Sequence, residues 1–196
     1  MEPLLKKMRF DKKKIIDLMT DPNNLTLARV AVVPLIVVLL LWPNRPFTLL
    51  AAFLFSVAAI TDYFDGYYAR ERGLVSNFGK MMDPLADKLM VASTLIMLVS
   101  HRWVPAWMIC IIIGRELAVT GLRAIIADKG EDASASMLGK YKTGFQIAAI
   151  IPLLIHYPYL GIHFNAIGTF FLWGALIFTV WSGVDYFINF RKLLQS

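Results

Sequence analysis

The chain has 196 residues, 58% of them hydrophobic, and a mean hydropathy of +0.60. That composition excludes an ordinary water-soluble domain and points to an all-α integral membrane protein, because lipid admits only structures that satisfy their own backbone hydrogen bonds. The net charge of +6, from 20 basic and 14 acidic residues, is distributed over connecting segments, which indicates membrane topology and anionic partners rather than nucleic acid.

Residues 1–20 come first in chain order. Leu4, Met8, Ile15, Leu18 and Met19 fall on one helical face, with Lys6, Lys13 and Lys14 largely away from it and Asp11 intruding. The pattern suits a short amphipathic juxtamembrane helix in the headgroup region, the alternative being a solvated basic tail. No apolar run follows the charges closely, so the segment does not read as a signal peptide.

Residues 21–196 read as one six-helix domain. Apolar runs predict transmembrane helices at about 25–42, 47–69, 80–100, 103–127, 140–157 and 163–190. Asn24 is the expected cap of the first, and Pro34 and Pro152 lie inside spans where they can kink them. The single cysteine, Cys110, reads as a small packing residue. Trp42, Trp103 and Trp107 read as headgroup-level residues, and His101, His156 and His163 as interfacial.

With six spans, the basic N-terminus, Arg70, Arg72, Lys80, Lys129, Lys140, Lys142, Arg191 and Lys192 share one side, against only Arg45 and Arg102 on the other. That asymmetry predicts an N-in/C-in protein of the cytoplasmic membrane.

The cytoplasmic ends of the second and third helices then hold four aspartates. Asp62 and Asp65 are spaced i,i+3, and Asp83 and Asp87 i,i+4, so each pair shares a helical face. Four converging carboxylates need cations. All-oxygen clusters suit hard divalent ions, Mg²⁺ or Mn²⁺, and two such ions suit displacement at phosphorus. An internal ion-pair network is the structural alternative, with Arg70, Lys80 and Lys88 nearby. Gly66 and Gly79 either admit a flat ligand to the backbone or serve close helix packing. Asp83-Pro84 suits an early turn of the third helix.

The pattern Asp62-x2-Asp65-Gly66-x2-Ala69-Arg70-x8-Gly79-x3-Asp83-x3-Asp87 resembles the full signature of the CDP-alcohol phosphatidyltransferases. The resemblance implies a reaction in which an alcohol attacks the β-phosphorus of a CDP-linked lipid and releases CMP. It implies that Asp62, Asp65 and Asp83 hold two metal ions, with Asp87 beside them as the base. It also implies that Gly66, Ala69 and Gly79 line a cytidine pocket, that Arg70 reaches the nucleotide or pyrophosphate, and that the protein is a homodimer.

Two later stretches bear on the acceptor. "GRELAVTGLR" carries Arg115, Glu116, Thr120 and Arg123, and "LGKYKT" carries Lys140 and Lys142. Arg115 and Arg123, eight apart, share a face, and the group suits an acceptor phosphate. Arg123, Lys140 and Lys142 could instead be loop anchors, and Glu116 could pair with one of the bases. Both stretches are similar to those of family members whose acceptor is sn-glycerol 3-phosphate. Asn24, Thr26 and Arg29 are expected to face the same cavity, although Arg29 could snorkel to headgroups. The expected substrates are therefore CDP-diacylglycerol and sn-glycerol 3-phosphate, in contact with membrane lipids. Inositol phosphate, serine or phosphatidylglycerol are the rival acceptors, and a metal-ion transporter is the rival class.

Overall fold

The structure, a computed structural model, describes the backbone of residues 22–72, 77–128 and 137–195, and side chains within 27–61, 85–126 and 137–188. The juxtamembrane segment, residues 1–20, lies outside the described residues. Six helices are described: α1 (Pro22–Leu41), α2 (Arg45–Arg72), α3 (Asn77–Ser100), α4 (Ala106–Asp128), α5 (Met137–Ile155) and α6 (Phe164–Gln195). All fall on the expected apolar runs.

The helix starts follow local chemistry. Pro22 opens α1, where its fixed φ suits the first helical position and its missing N–H costs nothing. Asn24 is thus inside the first turn and does not cap the helix, contrary to the sequence expectation. Asn44 is a true cap: its Oδ1 accepts from the Phe47 N–H at 3.0 Å. Helix α3 begins at Asn77, so Asp83-Pro84 stands beyond the early turn expected for it.

The helix ends of the opposite face close with left-handed residues. Arg102 (φ 59°) terminates α3, with Trp103 N–H donating to Leu98 at 3.0 Å and Arg102 N–H to Val99 at 2.8 Å. This is the double-bonded termination usually built on glycine. His156 (φ 54°) ends α5 in a related way, its N–H donating to Pro152 at 3.0 Å. Leu160 (φ 52°) and Gly161 (φ 79°) then make the tight turn between Tyr159 and Ile162.

These turns pack into one cluster. The rings of Trp103 and His156 stack with centroids 3.8 Å apart, and Tyr157 OH donates to Pro43 O at 2.8 Å. His101 Nε2 lies 2.6 Å from Leu40 O, and the Arg45 guanidinium lies 5.7 Å from the Tyr157 ring centroid. Trp103 is therefore part of a packed cluster, whereas Trp42 and Trp107 are exposed.

Helix α1 packs on α2 and α3, α2 on α5, α5 on α6, and α4 on α6. Ile36, Phe55, Met90, Leu95, Ile112, Leu153 and Leu172 fill the centre. The outer surface is just as apolar: Leu35, Phe53, Ile60, Ile96, Leu117, Phe170 and Trp181 are all exposed. A hydrophobic interior cannot drive assembly when the exterior is equally oily, so close backbone approach matters more. Gly168 provides it: a Cβ there would sit 2.9 Å from Leu153 N and 3.0 Å from Ala149 O.

Among the described residues one segment, Phe164–Ile188 of α6, is long and apolar enough to cross a membrane by length and composition, with shorter apolar segments at Leu27–Leu41 and Arg45–Thr61. Cys110 is exposed on α4, contrary to the expected packing role. In helices apolar on every side, hydrophobicity does not distinguish the inward face from the outward one.

Candidate active site

Helix α2 continues unbroken through Arg72, so Asp62 and Asp65 lie on one face of it, with Gly66, Ala69 and Arg70 in the turns that follow. Gly79, Asp83 and Asp87 occupy the first three turns of α3. The side chains of Asn24, Thr26, Asp62, Asp65, Ala69, Arg70 and Asp83 lie outside the described residues, as do the surroundings of Gly66 and Gly79. Among the described residues no group of three or more His, Cys, Asp or Glu converges. Of the expected metal ligands, only Asp87 has a described side chain.

Asp87 is half-buried and lines a cavity of about 250 Å³ between α3, α4 and α5. The cavity is amphipathic. Leu85, Leu89, Leu95, Ile112 and Leu117 make its apolar walls, and Asp87, Lys88, Glu116, Thr143 and Gln146 supply its polar groups. Such a space suits a molecule with one oily and one charged part.

The polar groups belong to a wider network centred on Glu116. Lys142 Nζ pairs with Glu116 Oε2, and Arg115 NH1 reaches the same oxygen at 3.2 Å. Arg115 NH2 donates to Ser182 Oγ on α6 at 3.0 Å. Thr120 Oγ1 donates to the Glu116 carbonyl at 2.7 Å and accepts from Lys88 Nζ. Arg123 Nε donates to Tyr186 OH at 2.8 Å, with its guanidinium 5.1 Å from that ring's centroid. Arg115 and Arg123 thus share the face turned towards α6, as their spacing requires.

The expected phosphate-binding group is divided by this arrangement. Arg115, Thr120 and Lys142 gather around Glu116, and Arg123 lies one turn further along α4. Lys142 is 3% exposed, so it is not a loop anchor, while Lys140 is exposed. Two helical steps rotate about 200°, which sends neighbouring lysines of this spacing to opposite faces. Arg29 is 4% exposed on α1, which removes the headgroup-snorkelling alternative. Glu116 does pair with the bases. Thr143, which belongs to the "LGKYKT" stretch expected beside the acceptor, lines the cavity, as do Gln146, which was not expected there, and Lys88, expected only as a cation near the aspartates. For Lys88 the signal was its place beside Asp87.

The network is rich in cations. Lys88, Arg115, Arg123 and Lys142 bring four cations to this part of the bundle, where Glu116 pairs with Arg115 and Lys142 and Asp87 shares the cavity wall with Lys88.

Comparison with known proteins shows the family. The family model described as CDP-alcohol phosphatidyltransferase matches residues 19–181. The chain is 48% identical over 188 residues to the CDP-diacylglycerol–glycerol-3-phosphate 3-phosphatidyltransferase of Bacillus subtilis (strain 168), covering 89% of this chain and 97% of the relative. It is 40% identical to the enzyme of the same name from Rickettsia prowazekii (strain Madrid E), over 92% of this chain and 96% of the relative. The corresponding protein of Salmonella choleraesuis (strain SC-B67) is 35% identical over 84% of this chain and 91% of the relative.

Proposed function

This chain belongs to the CDP-alcohol phosphatidyltransferase family and is a transferase of that class; on that premise we propose that it moves a phosphatidyl group from CDP-diacylglycerol to sn-glycerol 3-phosphate, giving phosphatidylglycerophosphate and CMP. The observation that carries the choice of acceptor is the gathering of Lys88, Arg115, Arg123 and Lys142 beside the cavity that Asp87 lines. A cluster of cations suits a phosphate monoester dianion, and serine or another phosphate-free alcohol has less use for it. The names of the relatives point the same way. Family membership sets the transporter reading aside.

Asp62, Asp65, Asp83 and Asp87 fit two divalent ions by their donor chemistry, carboxylate oxygens only, and by their continuous helical spacing. Bound Mg²⁺ or Mn²⁺ would supply neutralising charge for the pyrophosphate and for the departing CMP. The chain's own residues do the rest. Gly66, Ala69 and Gly79 leave room for cytidine, and Arg70, with Asn24, Thr26 and Arg29 from α1, holds the nucleotide and pyrophosphate. Arg115, Arg123 and Lys142 make the acceptor side basic and Thr120 adds a hydroxyl there, whereas Lys140, exposed on the opposite face of α5, is outside the group. The acceptor hydroxyl oxygen bonds to the β-phosphorus, the bond from that phosphorus to the CMP oxygen breaks, and the hydroxyl proton passes to Asp87. Positioning and charge carry most of the barrier reduction, since a carboxylate among cations is a weak base.

The same reading makes the protein a homodimer with six spans, N-in/C-in, in the cytoplasmic membrane. Residues 1–20 lie in the headgroup layer and the site faces the cytoplasm. The basic asymmetry of the connecting segments and the oily exterior support this placement. CMP release from CDP-diacylglycerol is the test, with a panel of glycerol 3-phosphate, inositol phosphate, serine and phosphatidylglycerol. Turnover is expected with glycerol 3-phosphate, abolished by chelation and restored by Mg²⁺ or Mn²⁺. Absence of product from glycerol 3-phosphate in the metal-supplied enzyme rejects the acceptor.

A further inference from the structure

Among the cations around Glu116, Lys88 differs in where it stands. It lines the cavity together with Asp87 and Glu116, while Lys142 lies behind Glu116 and off the cavity wall. Arg115 is also off that wall. It borders a separate groove between α4 and α6, beside Gly183 and Phe187. Lys142 is committed to a carboxylate in a buried pair, and breaking such a pair is costly. The described contact of the Lys88 ammonium is with a neutral hydroxyl, Thr120 Oγ1, itself fixed by its bond to the Glu116 carbonyl. A neutral partner is exchanged for an anion far more readily than a carboxylate is, because charge-assisted hydrogen bonds are about twice as strong.

We infer that Lys88 is the residue that grips the acceptor's phosphate inside the cavity, with Thr120 as its resting partner and the Glu116–Lys142 pair as the brace behind it. This assignment deepens the proposed reaction and rests on it. Lys88 follows Asp87 directly on α3, so one helical step separates the group that takes the hydroxyl proton from the group that holds the phosphate. Both ends of a short phosphorylated alcohol are then addressed from a single rigid element, which fixes its orientation at little entropic cost. The apolar walls beyond are left for the lipid partner.

The test is the kinetics of Lys88→Met and Lys88→Arg in the full-length enzyme, with glycerol 3-phosphate and CDP-diacylglycerol varied separately. Lys88→Met is expected to raise KM for glycerol 3-phosphate by about 10- to 100-fold, the loss of one charge-assisted contact. KM for CDP-diacylglycerol should move less than about threefold. Inorganic phosphate is expected to compete with glycerol 3-phosphate in the wild type and to lose potency against Lys88→Met by a similar factor; a wild type that turns over glycerol 3-phosphate but is not inhibited by phosphate counts against a phosphate grip at this site. Lys88→Arg keeps a phosphate-binding cation and should restore most of the acceptor affinity. It also keeps the experiment decisive if the methionine variant does not fold. A wild type that turns over glycerol 3-phosphate, with a Lys88 variant in which acceptor KM and phosphate inhibition are unchanged, overturns the assignment alone. A rise confined to KM for CDP-diacylglycerol overturns it as well. A wild type that ignores glycerol 3-phosphate overturns this inference together with the proposed acceptor.

Discussion

At the end of the bundle that carries Asp87, Lys88, Glu116 and Lys142, polarity is supplied by charged side chains projecting from helices. At the other end, where α1, α3 and α5 finish, it is supplied by aromatic rings, histidines and backbone turns. The first region gathers Lys88, Arg115, Arg123 and Lys142 around Glu116 and the cavity. The second uses stacking of Trp103 on His156 and backbone acceptors such as Leu40 O and Pro43 O, with Arg45 and Arg102 as its basic residues. Charge buried in helices is expensive and is kept where it can meet a ligand. Rings with a polar edge suit a boundary between oil and water and need no ligand.

The comparison breaks most sharply at Asp87. Asp87→Asn keeps shape and removes the proton acceptor, and is expected to lower turnover by at least about 100-fold with the fold retained. CMP release, alongside thermal unfolding in detergent, measures both quantities, and substantial residual activity removes Asp87 from the role of base. The next largest effect lies one layer behind. Glu116→Ala strands Lys142, which is 3% exposed, and should cost about 3 kcal/mol of stability. An unfolding midpoint lower by about 6–12 °C is the expected reading. An unchanged midpoint would show that water reaches Lys142 and that the pair is not a brace. The smallest effect belongs to the far end. Arg102→Gly relieves a left-handed φ of 59° and should leave turnover unchanged while stability rises by no more than about 1 kcal/mol. A large loss of activity there would mean that the two ends are coupled.

Much of this division can be read from sequence, and the failures have physical causes. Apolar runs located all six described helices, and the aspartate spacing selected α2 and α3. Asn24 was misread because two cues for a helix start competed, and proline at the first position prevailed. Cys110 was misplaced because a chain oily on every side offers no inside-out contrast. Lys140 and Lys142 were grouped by proximity in sequence, although their spacing already implied opposite faces. Lys88 is the opposite case. Helical faces group residues three and four apart, so Lys88 reads from sequence only as a nearby cation for the aspartates, and its place on the cavity wall is seen in the structure.

The outward position of Cys110 turns a misplaced packing residue into a ruler. It is the chain's one thiol and is exposed on α4, so a nitroxide or fluorophore attached there reports from a single known place without prior removal of other cysteines. Collisional relaxation by dissolved oxygen against a water-borne paramagnetic complex then gives its immersion depth. That reading fixes α4 along the bilayer normal, a coordinate that sequence patterns and helix packing leave free.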